Sequence, residues 1–152
     1  MSIMLPLELL KEAFRQAQQM PQLVVPVPPG YSVTGRLEPP SGMGWVFTGF
    51  MFGGHLADGS SIPGYNFATG KGLVWKATYA NVQPLRTFVD RTFYLTSDYL
   101  YQQIFYGPRP VTKFLEVTIT NTLDQTVYFS NTAFVFELPL DRIMELFAGE
   151  GR

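Results

Sequence analysis

His55 is the only histidine in the 152-residue chain, and Asp58, Ser60 and Ser61 follow it closely. These are the side chains of acyl transfer: a hydroxyl nucleophile, an imidazole base and a carboxylate that orients the ring. That chemistry needs its groups on separate rigid elements. Here all of them share one Gly-rich stretch, residues 53–64, and no Gly-x-Ser-x-Gly elbow occurs anywhere. A loop histidine bonded to its own neighbours, or one that titrates at an interface, asks for less. Asp90, Asp98 and Glu116 fall in or beside strand-like segments. A pair of them held about 5–10 Å apart could hydrolyse a glycoside, but solvent-facing strand positions account for all three more simply. Gly70-Lys71-Gly72 lacks the rest of a phosphate loop and reads as a hairpin turn. No enzyme is expected.

Composition narrows the field further. The absence of Cys removes disulfides, thiolate nucleophiles and cysteine metal sites, and a lone His leaves little for an imidazole cage, so neither metal nor cofactor is expected. With 11 basic and 12 acidic residues the net charge is -1. That gives no basic face for nucleic acid and no polybasic membrane patch. No apolar run reaches the roughly 18 residues of a spanning helix. The first residues carry Glu8, Lys11 and Glu12 where a signal peptide would be apolar.

Aromatic residues are abundant, with 13 Phe, 8 Tyr and 2 Trp, and most of them must serve as core. Among Trp45, Trp75 and the tyrosines at 94, 99, 101 and 106, the set Trp45, Trp75, Tyr99 and Tyr101 is the candidate platform on which a sugar could stack.

The elements that would position these groups are mostly strands. Residues 6–20 read as one amphipathic helix: Pro6 suits its first turn, and Leu7, Leu10, Phe14 and Ala17 recur at helical spacing. Residues 21–30 follow as a proline-rich connector in polyproline II or edge-strand conformation. Strand-like pieces at 31–37 and 45–52 are separated by Gly/Pro-rich loops. From residue 73 the pattern is plainly β, over 73–79, 85–95, 99–106, 111–120, 126–131 and 133–138. Residues 106–111, with Pro108 and Pro110, read as a turn, and 121–125 as a hairpin loop. A short helix closes the chain, with Asp141 near its start and Gly149 at its cap. Roughly eight short strands without alternating helices mean an all-β antiparallel sandwich or barrel. A jelly roll is the first choice and another Greek-key sandwich the second. The organisation is an N-terminal helix and arm (1–30), a β-sandwich (31–138) and a short C-terminal helix and tail (139–152).

Charge is unevenly spread. Between Gln16 and Gly70 only Arg36, Glu38 and Asp58 are charged. Either much of that segment's surface meets another polypeptide, since interface cores are poor in charge and rich in aromatics, or Gly/Pro-rich loops solvate it through their backbone. The aromatic content favours the first. The apolar residues of the arm, Leu7, Leu10, Phe14, Leu23, Val25 and Val27, are then the candidate contacts.

A cysteine-free, charge-poor β-sandwich with an N-terminal helix, a proline leash and aromatic strands resembles small structural proteins of phage and virus particles. Capsid decoration (cement) proteins, minor capsid proteins and spikes belong to that group. Residues 115–127 (LEVTITNTLDQTV) also resemble a strand-turn-strand phrase common in β-sandwich modules. The likeness is one of organisation and transfers no site residues. It implies a non-enzymatic virion protein, made in the host cytoplasm, that stabilises a particle as a homo-oligomer. A trimer is the first expectation, bound to other virion proteins such as a major capsid protein and reaching neighbours with an extended arm. The alternative is a carbohydrate- or ligand-binding sandwich module of a phage tail or cell-surface apparatus.

Overall fold

Strict alternation fixes the middle of the protein. In Phe114–Asn121 every second side chain, Leu115, Val117, Ile119 and Asn121, is buried, while Glu116, Thr118 and Thr120 lie on the opposite face. Leu73–Ala80 repeats the pattern beside it, with Leu73, Trp75, Ala77 and Tyr79 turned inward. Two such half-apolar ribbons must cover their inner faces with a second layer.

The computed structural model describes residues 22–89, 92–95 and 101–147, with backbone alone at 22–24, 52, 89 and 101–107. The strands are β1 (Gln22–Val27), β2 (Ser32–Leu37), β3 (Met43–Leu56), β4 (Leu73–Ala80), β5 (Phe88–Val89), β6 (Phe93–Tyr94), β7 (Tyr101–Val111), β8 (Phe114–Asn121) and β9 (Val127–Pro139), followed by helix α1 (Leu140–Leu146). They form two antiparallel sheets of order β1-β9-β3-β7 and β2-β8-β4-β5, with β6 also paired to β4. The fold is an all-β sandwich. Its pairings are nested: β1 with β9, β2 with β8, β3 with β7, and β4 with β5 and β6.

The inner faces meet in one aromatic core. Phe50 packs edge-on against Trp75 at 4.4 Å between ring centroids, and Phe47 lies 4.5 Å from Phe50 and 4.9 Å from Tyr79. A second, smaller cluster joins Val46 and Phe136 to Ile143 and Phe147, so α1 covers the outer face of the first sheet at one end. Gly44 admits this packing, because a Cβ there would lie 2.9 Å from Ile143 Cγ1. The central strand β3 is therefore buried on both faces around Trp45, Val46 and Phe47. Its lack of charge follows from cover supplied by its own chain, and this accounts for part of the charge-poor stretch.

The structure revises several expected boundaries. Residues 22–27 are an edge strand of the sandwich and not a free arm: Val27 is fully buried in the core and Val25 packs against it. The sandwich thus begins before residue 31. The Pro108 and Pro110 segment continues β7 instead of turning, because β7 is the outermost strand of its sheet and an edge tolerates missing donors. Segment 85–95 divides into β5 and β6, whereas 126–138 is one uninterrupted strand, β9. Residues 122–126 do not close a hairpin, since β8 and β9 belong to different sheets. The buried Asn121 makes this corner. Its amide donates to the carbonyls of Val27 (2.9 Å) and Gln125 (2.8 Å), and its Oδ1 accepts the Leu123 N–H at 2.9 Å. The expected helix at 6–20, with Leu7, Leu10 and Phe14, and the cap at Gly149 lie outside the described residues.

Candidate functional site

The residues that suggested catalysis are bonded in another pattern than a triad. His55 stands near the end of β3 and not in a loop. Its Nδ1 lies 2.7 Å from the Leu56 carbonyl, and its ring stacks on Tyr128 at 5.5 Å. Asp58 is engaged elsewhere, its Oδ1 accepting both the backbone N–H (2.9 Å) and the hydroxyl (2.5 Å) of Ser60. The hydroxyl that a nucleophile would need is thus donated to the carboxylate instead of to the imidazole. Glu116 forms an ion pair with Arg36 at 2.8 Å on the outer face of the second sheet, while Asp90 and Asp98 lie outside the described residues. Among the described residues no three of His, Asp or Glu gather as a metal-binding group.

The bond from the Ser60 hydroxyl, more than the one from its backbone N–H, holds the Asp58 carboxyl below the ordinary carboxylate range. A folded-state value below the unfolded one contributes stability above about pH 4, lost as pH falls through the lowered value. Ser60→Ala is expected to raise the Asp58 titration midpoint toward the ordinary range, read by carboxyl-carbon NMR. An unmoved midpoint would remove the hydroxyl from this account.

The aromatic platform is not where the sequence placed it. Trp75 is fully buried and donates from Nε1 to Asn131 Oδ1 at 3.1 Å. Trp45, 3% exposed, donates to Glu137 Oε1 at 3.0 Å. Both rings serve the core, each with its one polar atom satisfied, and neither is available to a ligand. Tyr99 lies outside the described residues, and only the backbone of Tyr101 is described.

A different aromatic surface exists. The large exposed hydrophobic residues among the described residues are Tyr31, Phe67, Tyr94 and Tyr128. All four lie at one end of the sandwich, where the β1–β2 turn, the β3–β4 loop, β6 and the β8–β9 corner meet. Three rings there form a contiguous patch. Tyr65 contacts Phe67 at 4.9 Å and Tyr94 at 4.7 Å, and Phe67 lies 5.1 Å from Tyr94. Their planes are inclined by 56–63°, a mutually packed cluster and not a flat stacking shelf. Phe67, 74% exposed, forms its apex.

Local chemistry fixes this presentation. Asn66 pairs with Lys71 as an isolated bridge, and its Oδ1 accepts the N–H groups of Ala68 and Thr69 at 2.9 and 3.3 Å, an Asx turn with Phe67 at its tip. Tyr65 N–H donates to the Leu95 carbonyl beside β6, tying the loop to the strand that carries Tyr94. Gly72 has φ +150°, and a Cβ on it would meet Tyr65 Cα at 2.6 Å, so only glycine lets Tyr65 sit here. Across the corner, Gly72 N–H donates to Thr122 Oγ1 at 3.0 Å, and Lys71 pairs with Asp124 at 3.1 Å. That pair is exposed, so it aligns the loops more than it stabilises them.

Of the three rings, sequence pattern pointed only to Tyr94. Tyr65 and Phe67 lie in a stretch dense in Gly, Pro and Asn that reads as loop. The available signal was the Tyr65-Asn66-Phe67 triplet itself, two bulky rings two residues apart in a stretch of turn formers. No protein-family model matches the chain, and no curated protein is similar to it.

Proposed function

We propose that the chain is a non-enzymatic structural protein of a virus particle, a decoration or minor capsid component that works as a homo-oligomer. The nested strand pairing is the observation that carries it. Counting β5 and β6 as one position, strands pair first with eighth, second with seventh, third with sixth and fourth with fifth. A long antiparallel hairpin rolled on itself gives this order, and we read it as a jelly roll, an architecture of viral capsid domains as well as of lectins and cupins. The burial of Trp45 and Trp75 weighs against the lectin reading, and one histidine weighs against a cupin metal cage. The aromatic, charge-poor end supports assembly through protein contacts.

In this account residues 1–21 form the arm, the apolar face of Leu7, Leu10 and Phe14 docks on a neighbour, and a trimer seated on a major capsid protein is the working unit. The test is the solution mass of the full chain at micromolar concentration, by mass photometry or light scattering. A closed oligomer is expected, and Leu7→Asp with Phe14→Asp is expected to weaken it. A strict monomer overturns the proposal.

A further inference from the structure

The geometry points to a carboxylate-binding site at Arg109, on the seam where the edges of the two sheets meet. The site does not rest on the assembly reading above. β7 is the outermost strand of the first sheet, and β5 lies at the edge of the second. Arg109 on β7 is in register with Phe47, which packs on Tyr79 at 4.9 Å, and Tyr79 is in register with Phe88 on β5. The Arg109 guanidinium closes this row, its Cζ 5.0 Å from the centre of the Phe88 ring. The cation thus bridges the two edges over an aromatic floor.

Taking part of a cation out of water without a counter-charge is costly. Arg109 Nε is buried and has no hydrogen-bond partner, and among the described residues no ion pair includes Arg109. The Phe88 ring attracts the charge through its face, but it offers no acceptor in the guanidinium plane. Arg109 is only partly buried, so its Nη pair is the part that a ligand reaches. The protein holds a completed version of the same arrangement. Arg36 Cζ lies 3.9 Å over the Phe114 ring, and Glu116 Oε2 accepts from its Nε and Nη2 at 3.1 and 2.8 Å. Arginine, ring and carboxylate meet there, and the first two recur at Arg109. An inward charge on an edge strand also discourages stray pairing, but a lysine would serve that purpose. A planar fork of donors held on a ring selects paired oxygens.

Local charge agrees. Asn81 ties residues 80–89 to 108–114 through its bonds to the Arg86 carbonyl and to the Thr112 N–H. These two segments carry Arg86, Arg109 and Lys113 and no acidic residue. The carboxylates around them are placed or engaged elsewhere. Glu137, two strands from β7, accepts from Trp45 Nε1, and Glu38 follows β2 at the opposite edge of the second sheet. On α1, Glu145 pairs with Arg142 and Asp141 accepts the Arg142 N–H. Asp90 lies outside the described residues, so the test must address it.

The test follows the Arg109 Nε–H signal by NMR in the full chain, assigned through its own backbone. Sodium acetate is titrated against sodium chloride at equal ionic strength. A saturable shift with acetate alone is expected, half-complete in the millimolar range. Arg109→Lys keeps the charge and loses the fork, so acetate is expected to bind about tenfold more weakly, read from the acetate-dependent rise in thermal midpoint. Dilution separates the sources of the carboxylate. A signal already shifted without acetate that reverts on dilution assigns it to an acidic side chain of a second copy, whereas a signal that only acetate moves assigns it to a free acid. A signal that answers acetate and chloride equally, or neither, overturns the inference. So does an acetate-free signal that Asp90→Asn displaces, because the chain then fills the site itself.

Discussion

Trp75→Ala is expected to remove about 5 kcal/mol of stability, close to the whole margin of a domain that has only about 5–15 kcal/mol. Trp75 is fully buried, lies 4.4 Å from Phe50 and 5.3 Å from Phe93, and joins the sheets through its bond to Asn131 on β9. Truncating a buried tryptophan costs about 3–5 kcal/mol in lost transfer energy and cavity. Leaving Asn131 Oδ1 without its donor adds about 1 kcal/mol, because that oxygen is buried. The urea midpoint is expected to fall by roughly 2 M. Trp75→Phe keeps most of the volume and loses the bond, so its effect is expected to be near 2 kcal/mol. If Trp75→Ala costs less than the phenylalanine variant, the ring is not in the centre of the core.

Asn121→Ala is expected to cost about 3 kcal/mol, although it deletes only a small polar side chain. The side chain ties three backbone groups, the carbonyls of Val27 and Gln125 and the N–H of Leu123. Each group left unsatisfied at a buried site costs about 1–3 kcal/mol, reduced where water can enter. Asn121→Asp is expected to be no milder at neutral pH, since a carboxylate cannot donate to the two carbonyls that face it. Hydrogen exchange adds a local reading: amides of β1 and of residues 122–126 are expected to lose protection before those of β4. Uniform loss, or a change below about 1 kcal/mol, would mean that the corner does not depend on this residue.

How much of this was legible beforehand varied with position. The alternation of β8 was plain in Leu115, Val117 and Ile119, because one face is buried and the other is wet. The path of β7 through Pro108 and Pro110 was not legible. Whether proline ends a strand depends on the strand's place in its sheet, and local sequence does not carry that place. The same gap turned 121–125 into a hairpin, because turn formers report that the chain reverses and not which sheet it enters next. Trp45 and Trp75 were misplaced on a ligand surface for a related reason. A tryptophan in a strand gives its face by parity, but which face is covered depends on the partner sheet. The patch at Phe67 was hidden because its placement comes from an Asx turn and a glycine, signals that mark loops of every purpose.

The position of β9 between β1 and β3 has a consequence for biosynthesis. Gln22 pairs with Thr132 and Leu56 with Val127, so the centre of that sheet is the strand translated last among the three. While the nascent chain emerges from the ribosome, β1 and β3 have no ladder between them, and the Phe-rich β3 exposes an unpaired edge. Such distant closures are slow. The half-made polypeptide is therefore open to wrong edge pairing until the final third is available to close the sheet.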